Sequence, residues 1–386
     1  MSDGLGPPIP LIIAKSAYDS VGGPESLLQI MADGLNRNRF PPHLALLARP
    51  EHDLPSVLAK VAAQMPTTRV DWKGLTGVLT ASRDLAALVT QHPGALLHTN
   101  DMRANLLAWM IRRVRRVPWI AHVHGWLGPT HSGRHRLFED IDRRLVRFAD
   151  LVLVGSTAMR DEVRRAGARR VEIVTNGVSP ANPAEHMAEG ARIRASIAPR
   201  GRLIAGVLGR LHPGKGQALL LEAVAELSNK GIDIMAAIVG AGPAEAEYRA
   251  RARELGLGER VHFAGLVPDV RPWLQAMDML CVPSLKDSMP LSAMEAMSLG
   301  LPVIASRTGE LPIAIRHGHS GLIVDVGSVP SLMAAIERLA LSPVERALFG
   351  AAGRQRLIQD YSPEAMLRQF EGFCTQVARG ETARAR

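Results

Sequence analysis

Residues 203–230 read LIAGVLGRLHPGKGQALLLEAVAELSNK, and this stretch indicates the fold class. Leu203–Leu208 is a short apolar run that leads into a glycine, which is typical of a buried parallel strand. Gln217–Lys230 has the apolar spacing of a helix. The loop between them contains three glycines, Arg210 and Lys215. A strand that passes through a glycine-rich loop straight into a helix predicts a parallel α/β sheet.

The same order of strand, loop and helix repeats along the rest of the chain. Before the quoted stretch it runs from Ile9–Ala14 to Val171–Val174, and after it to a helical end. A connector rich in Pro and Ala separates the two series at Ser179–Glu189. We therefore expect an α/β protein with two Rossmann-like, doubly wound parallel-sheet domains that face a cleft. The expected domains are residues 1–180, with a returning C-terminal helix at 363–378, and residues 190–360.

Length and composition exclude several classes of protein. The chain has 386 residues, of which 47% are hydrophobic and 22% are charged, so it is neither disordered nor a disulfide miniprotein. Cys281 and Cys374 lie far apart and without neighbouring metal ligands, which argues against a structural zinc site. No basic leader and no apolar run near the ~20 residues of a spanning helix is visible. We expect a cytoplasmic protein, with a peripheral place at the inner face of the plasma membrane as an alternative.

The formal net charge of +9 is concentrated in the first half of the chain. Residues 1–178 hold 23 Lys+Arg against 16 Asp+Glu, and the remainder holds 23 against 21. Such a field attracts anions. A helix with an apolar side ends in four arginines that could contact an anionic membrane, unless that side packs on the sheet. These are Arg112, Arg113, Arg115 and Arg116.

The loop at Gly206–Gly216 has the chemistry of a phosphate site. Its glycines let the backbone approach a ligand, the following helix N-terminus favours an anion, and Arg210 and Lys215 neutralise charge. The spacing does not match a P-loop. The alternative is an ordinary glycine-rich turn with surface cations.

Two carboxylates follow in the segment Pro283–Gly300. Asp287 precedes a helix and Glu295 lies on it, with seven residues between them. Ionised carboxylates only accept hydrogen bonds, which suits ligands with many hydroxyl groups. The alternatives are a helix cap for Asp287 and a solvated charge for Glu295, although the apolar residues around Glu295 disfavour a solvated face.

Taken together, these motifs resemble the retaining GT-B glycosyltransferases of family 4, which use nucleotide sugars. Eight short motifs match the family and span nearly all of the chain. They are Gly22-Gly23-Pro24-Glu25, His122-Val-His-Gly125, Thr175-Asn-Gly-Val178, Gly209-Arg210 with Lys215, Val239-Gly-Ala-Gly242, Phe263-Ala-Gly265, the Asp287…Glu295 segment and Thr308-Gly-Glu-Leu-Pro312.

The resemblance implies roles on the donor side. Arg210 and Lys215 match the pair that binds the donor diphosphate and stabilises the departing nucleotide. Glu295 matches the acid that holds the ribose. Asp287 takes the place of a usual Glu that contacts the donor sugar, and it is followed by Ser-Met-Pro where the family has Gly-Phe-Pro. Further donor-binding positions implied are Gly22, Gly23, Gly209, Gly265, Leu266, Met289, Pro290 and Leu291.

On the acceptor side, His124 matches the histidine that faces the anomeric carbon, and we count it with Arg210, Lys215 and Asp287 as catalytic. His98 and Asn100 are further acceptor-side candidates. The implied reaction transfers a hexosyl group, with retained configuration, from a nucleotide diphosphate sugar to a glycan or lipid-linked acceptor.

The implied setting is bacterial cell-surface polysaccharide or glycolipid synthesis, with no metal and no other cofactor. One alternative is a GT-B-like protein that binds nucleotide sugars without transferring them. A basic nucleic-acid-binding protein is a weak alternative because aromatic residues, only 4% of the chain, do not cluster with the arginines. We therefore expect no nucleic-acid partner.

Overall fold

A computed structural model describes residues 7–17, 23–49, 54–73, 77–126, 134–175, 177–287 and 289–381. The chain forms two compact units. Unit 1 comprises Met1–Gly177 and Pro363–Arg386, and unit 2 comprises Val178–Ser362. Each unit is described by itself.

Unit 1 is built on a sheet of seven parallel strands. They are β1 (Leu11–Ser16), β2 (Pro42–Ala48), β3 (Thr67–Asp71), β4 (Leu96–Thr99), β5 (Trp119–Val123), β6 (Leu151–Val154) and β7 (Val171–Ile173). Their spatial order is β3-β2-β1-β4-β5-β6-β7. The chain therefore builds outward from β1 in one direction and then, from β4, in the other, which is the doubly wound arrangement.

Helices cover both faces of this sheet. They are α1 (Gly23–Gly34), α2 (Ser56–Gln64), α3 (Val78–Gln91), α4 (Met102–Val114), α5 (Arg134–Val146), α6 (Thr157–Arg165) and, from the end of the chain, α15 (Pro363–Ala378). Side chains of β1 alternate between two cores: Ile12 packs with α3 to α6, and Ile13 packs with α1, α2 and α15. Both residues are fully buried, which explains why β1 is apolar throughout its first four positions.

Unit 2 repeats the architecture with six parallel strands. They are β8 (Leu203–Leu208), β9 (Ile234–Val239), β10 (Val261–Gly265), β11 (Met279–Val282), β12 (Val303–Ser306) and β13 (Leu322–Val324). Their order is β10-β9-β8-β11-β12-β13. The direction of winding reverses between β8 and β11, so the carboxyl ends of these two strands open the crevice in which ligands of such sheets bind.

The helices of unit 2 also lie on both faces. They are α7 (Pro183–Ile197), α8 (Gln217–Asn229), α9 (Glu245–Glu254), α10 (Arg271–Ala276), α11 (Leu291–Ser298), α12 (Leu311–Ala314), α13 (Val329–Leu341) and α14 (Pro343–Arg356), and a wider helical turn (Leu357–Tyr361) follows α14. One core contains residues of α8, α9 and α13, and the other contains residues of α10, α11 and α12. Two parallel sheets with helices on both faces confirm the predicted α/β class of two Rossmann-like units.

The segment Ser179–Glu189, expected to be a connector, contains the start of a helix. Pro183 occupies the first turn of α7, where a missing N–H costs nothing, and the Asn182 side chain accepts a hydrogen bond from Ala184 N at 3.2 Å. A Cβ at Gly190 would lie 2.7 Å from Gln275 Cβ, so the glycine allows α7 to pack closely on α10. The helix therefore belongs to unit 2.

Among the helices of the described ranges, none is long and apolar enough to cross a bilayer.

Candidate functional site

The loop after β8 has a conformation that requires glycine. Gly209 has φ 136°, and its N–H donates to Val239 O at 3.0 Å. After a short turn at Pro213–Lys215, Gly216 has φ 72°, and a Cβ there would lie 2.1 Å from Pro283 O. The loop thus lies directly against the segment that follows β11. Its glycines hold Arg210 and Lys215 at the carboxyl edge of the sheet.

Lys215 and Asp287 form an ion pair in this loop. Lys215 Nζ lies 2.5 Å from Asp287 Oδ2, and the side chains are 38% and 14% exposed. Ser284 Oγ donates to the same oxygen at 3.3 Å. The loops after β8 and β11 thus bring together two of the four predicted catalytic residues.

Arg210 is exposed, and among the described residues its guanidinium makes no hydrogen bond or ion pair. Its backbone is fixed, because the fully buried Gln217 donates from Nε2 to Arg210 O at 2.9 Å. A cation on a held backbone and without a protein partner can bind an anionic ligand without first breaking an ion pair.

Glu295 lies half-buried on α11. Burial raises the pKa of this carboxyl, and the negative charge of Asp269 adds to the effect, whereas Arg271 opposes it. Arg271 is itself held by Asp269, with Nε 2.8 Å from Oδ1. A carboxylate whose ionised form is penalised by burial gains from hydroxyl donors, so Glu295 is suited to accept hydrogen bonds from a diol.

Exposed apolar side chains accompany these polar groups. Leu266, directly after Gly265, is 85% exposed, and Leu291, at the start of α11, is 63% exposed. Gly265 has φ 69°, and its carbonyl accepts from Gly240 N at 2.8 Å, which ties the ends of β9 and β10 together. Met289 packs against the core under α11. Pro290 precedes the helix, and no side chain caps the first N–H groups of α11. Those groups point out of the helix end as hydrogen-bond donors.

At the carboxyl edge of unit 1, a buried charged cluster lies beside the predicted acceptor residues. Lys15 Nζ lies 3.2 Å from Glu25 Oε1 and 4.0 Å from Asp101 Oδ2, and the Lys15 and Glu25 side chains are at most 5% exposed. Asp101 also accepts from Ser16 N and Oγ, at 2.6 and 2.8 Å, and caps α4. Lys15 and Asp101 were not among the residues predicted from the sequence. A lysine at the end of an apolar strand was the available signal, since lysines are rarely buried without a partner.

The predicted acceptor-side histidines lie one above another at this edge. The rings of His122 and His124 stack with centroids 4.3 Å apart, and His98 lies 5.7 Å from His122. His124 is exposed and its Nε2 lies 3.4 Å from Asn100 Oδ1, whereas His98 is fully buried. His98 packs instead against Phe370 of α15, at 4.9 Å. The structure therefore places His124 on the surface, Asn100 just beneath it and His98 in the interior.

Their surroundings keep these imidazoles neutral. Burial, with added repulsion from neighbouring imidazoles, lowers the pKa values of His98 and His122 well below the usual 6.5. Desolvation by the surrounding protein, and repulsion by His98 and Lys15, lower the pKa of His124 as well. A neutral His124 offers one donor and one acceptor at pH 7.

The other residues predicted for unit 1 are the glycines of the first loop and the arginines at the end of α4. Gly22 is outside the described residues, and Gly23 begins α1. The apolar side of α4, including Leu107 and Ile111, is buried in the core of unit 1, so it is not available to a membrane.

The four arginines at the end of α4 have different environments. Arg112 pairs with Asp150 at 2.9 Å, Arg113 lies over the Trp109 ring, and Arg115 donates to Thr90 Oγ1. Arg116 is exposed.

Both halves of the chain match known protein families. Residues 22–178 match the family described as "Glycosyl transferase 4-like domain", and residues 202–342 match "Glycosyl transferases group 1". The chain is 31% identical over 312 residues to D-inositol 3-phosphate glycosyltransferase of Corynebacterium jeikeium and covers 74% of that protein, with 74% of this chain aligned. It is 32% identical over 256 residues to the protein of the same name from Corynebacterium glutamicum, with 60% of each chain covered. The chain thus spans about three fifths of the length of that relative.

Solved structures share the fold at low sequence identity. A crystal structure of Anabaena HepE in complex with UDP superposes with a TM-score of 0.73 and 21% identity, covering 95% of this chain and 100% of that one. The lipopolysaccharide outer core galactosyltransferase WaaB superposes with a TM-score of 0.68 and 15% identity, covering 97% and 100%. The fold that these comparisons share and the sequence relatives together show that the chain belongs to the GT-B glycosyltransferases, with a glycosyl transferase 4-like domain followed by a group 1 domain.

Proposed function

We propose that this protein is a retaining glycosyltransferase that moves a hexosyl group from a nucleotide diphosphate sugar to an acceptor hydroxyl. The observation that carries the proposal is the loop after β8. It presents an unpaired Arg210 and places Lys215 beside Asp287 at the edge where ligands of parallel sheets bind. A diphosphate and a sugar are the ligand parts that such cations and such a carboxylate recognise.

For the donor we propose a UDP-sugar. Structures that share the fold are described as complexes with UDP, with UDP and glucose, and with UDP-glucose, which favours this class. In this chain the exposed Leu266 would cover one face of the base, and Glu295 would accept from the ribose hydroxyls. The N–H groups at the start of α11 would add donors for the diphosphate or the sugar.

In the reaction we propose, the bond between the anomeric carbon and the diphosphate oxygen breaks, and the acceptor oxygen bonds to the same face of that carbon. The acceptor proton passes to the departing phosphate. Negative charge grows on the diphosphate as it leaves, and Arg210 and Lys215 stabilise it without a bound metal. Asp287 orients Lys215 and accepts from a donor sugar hydroxyl.

We place the acceptor at the carboxyl edge of unit 1, where the neutral His124 and the adjoining Asn100 provide hydrogen-bonding groups. A neutral imidazole can hydrogen-bond to the acceptor hydroxyl and position it without deprotonating it. The proposed acceptors are glycans or lipid-linked sugars of the cell surface. We also propose that the protein contacts an anionic membrane through Arg112, Arg113, Arg115 and Arg116. Because the apolar side of α4 is buried, this contact would be electrostatic only.

A second candidate function is nucleotide-sugar binding without transfer. The Lys215–Asp287 ion pair favours it, because Lys215 is already neutralised and Asp287 is shorter than the usual Glu. Turnover separates the two candidates, since both predict binding.

The test combines a thermal-shift screen of UDP-, GDP- and ADP-sugars with an assay for the released nucleotide. A donor at 100 times its dissociation constant stabilises the protein by about 2.7 kcal/mol. We expect Lys215→Ala to abolish donor-dependent nucleotide release and Glu295→Gln to weaken donor binding. Lys286→Ala is the matched control, because Lys286 is exposed, lies next to Asp287 and has no partner among the described residues.

Unchanged nucleotide release in Lys215→Ala would reject the assignment of the donor loop. Binding without any turnover in wild type, across donors and acceptors, would favour the second candidate. We also expect release to survive EDTA, and loss of activity that Mg²⁺ restores would refute the metal-independent mechanism.

A further inference from the structure

A basic cavity lies on unit 1, at the amino ends of β5, β6 and β7. It is therefore at the edge of the sheet opposite to the candidate acceptor residues. Its volume is about 1060 Å³, which is large enough for a phosphorylated small molecule. Its lining contains six arginines and two acidic residues, Asp150 and Glu381. The arginines are Arg112, Arg116, Arg147, Arg169, Arg170 and Arg379.

Two of these arginines have structural roles. Arg112 donates to Phe148 O at 2.9 Å and to Asp150 Oδ1 at 2.9 Å, and the second oxygen of Asp150 accepts from Trp119 N at 2.8 Å. Arg170 donates to Glu381 O at 3.0 Å and to the Gln376 side chain. These contacts satisfy carbonyl groups near helix ends, where cations are favoured in any case. Because both oxygens of Asp150 are already hydrogen-bonded, this carboxylate does little to neutralise the other arginines of the cavity.

Of the other four arginines, Arg379 lies 3.7 Å from Glu381 Oε1, and the remaining three exceed what the fold needs. Arg116, Arg147 and Arg169 are exposed, and none of them makes an ion pair or hydrogen bond with another described residue. Arg147 lies over the Phe148 ring, at 4.9 Å, and that ring is itself 48% exposed. These three come from the segment after α4, the segment after α5 and the loop before β7, so the fold gathers them from separate parts of the chain.

A donor inside the cavity wall is also unsatisfied. Nε of Arg170 is buried and has no hydrogen-bond partner among the described residues, and Glu172 Oε1 is 4.0 Å away. Guanidinium groups bind phosphate oxygens in pairs of hydrogen bonds, which suits several arginines around one concave site. We infer that this cavity is a binding site for a phosphate-bearing ligand, separate from the donor and acceptor sites. Either a free phosphorylated molecule or the phosphate of a lipid headgroup offers this chemistry.

The test uses two charge-matched double variants of the full chain. Arg116→Glu/Arg169→Glu alters the cavity. Arg144→Glu/Arg164→Glu is the control, because both residues are exposed, lie in the last turns of α5 and α6 and have no partner among the described residues. Binding of tripolyphosphate is measured by calorimetry with excess UDP present, and binding of phosphatidylglycerol vesicles is measured by flotation.

We expect the cavity variant to bind at least one of the two probes about tenfold more weakly than wild type, with the control within about twofold. Loss of tripolyphosphate binding assigns a free phosphorylated ligand, and loss of vesicle binding alone assigns a lipid headgroup. Equal losses in both variants, or no binding of either probe by wild type, would overturn the inference. Should the Glu variant unfold, Arg116→Gln/Arg169→Gln replaces it, with Arg144→Gln/Arg164→Gln as its control.

Discussion

The two buried histidines of unit 1 should make the protein lose stability as the pH falls from 7.5 to 5.5. His98 and His122 are 0% and 2% exposed, and burial lowers their pKa values well below 6.5. In the unfolded chain each imidazole takes up a proton around pH 6.5, whereas in the folded chain it stays neutral. Stability from this source is therefore present above pH 6.5 and is lost as the pH falls through it.

The size of the loss follows from proton linkage. Between pH 7.5 and 5.5, a group with an unfolded pKa of 6.5 that does not protonate in the folded state costs about 1.4 kcal/mol. The two histidines together therefore cost about 2.7 kcal/mol. Replacing one of them, as in His98→Leu, should reduce the loss by about 1.4 kcal/mol, whatever the substitution does to stability at pH 7.5.

The measurement is urea unfolding at several pH values, followed by tryptophan fluorescence. Four of the five tryptophans lie in unit 1 and report on it. His319→Gln is the control, because His319 is exposed. If wild type and His98→Leu lost the same free energy between pH 7.5 and 5.5, the two states would not differ in protonation at His98, and the reasoning would fail.

Three further predictions concern unit 2. Gly216→Ala should lower the free energy of unfolding by more than Gly201→Ala, which should cost about 1 kcal/mol. Both glycines have φ near +75°, but only a Cβ at residue 216 meets Pro283 O; equal losses in chemical denaturation would contradict this. Because burial raises the pKa of Glu295, its folded form favours the proton, and stability falls as the pH rises through that pKa. Glu295→Gln should thus raise the melting temperature at pH 8 and not at pH 4. An equal rise at both pH values would contradict this prediction. Leu266→Ala should change the free energy of unfolding by less than about 0.5 kcal/mol yet weaken UDP binding in calorimetry, and unchanged affinity would remove Leu266 from the site.

The fold was readable from the sequence wherever strands are buried on both faces. Such strands are continuous apolar runs, as at Leu151–Val154, and the structure has that strand with the same bounds. β3 was missed because it is an edge strand with the sequence TTRVD, of which only Val70 is fully buried. α7 was missed because its proline and alanines were read as a linker. Proline is, however, common in the first turn of a helix, where its missing N–H is not needed.

Individual site residues could be nominated from the sequence, but their partners could not. Lys215 and Asp287 are 72 residues apart, and their contact depends on the close approach of two loops. The interior position of His98 depends on α15, more than 260 residues later, whose Phe370 covers it. Spacing within one segment predicts which side chains share a loop or a helix face, whereas burial depends on elements that pack from elsewhere in the chain.

The course of the chain through unit 1 has a consequence for how the protein is made. The chain leaves unit 1 after Gly177 and returns at Pro363, and Val178 N donates to Tyr361 O at 2.8 Å, so the exit and the return lie side by side. Phe370 and Leu367 of the returning helix complete one core of unit 1. On the ribosome, that core stays open while all of unit 2 is being synthesised. Unit 2, in contrast, is continuous in sequence, so all of it has been synthesised before the last helix of unit 1, although unit 1 begins first.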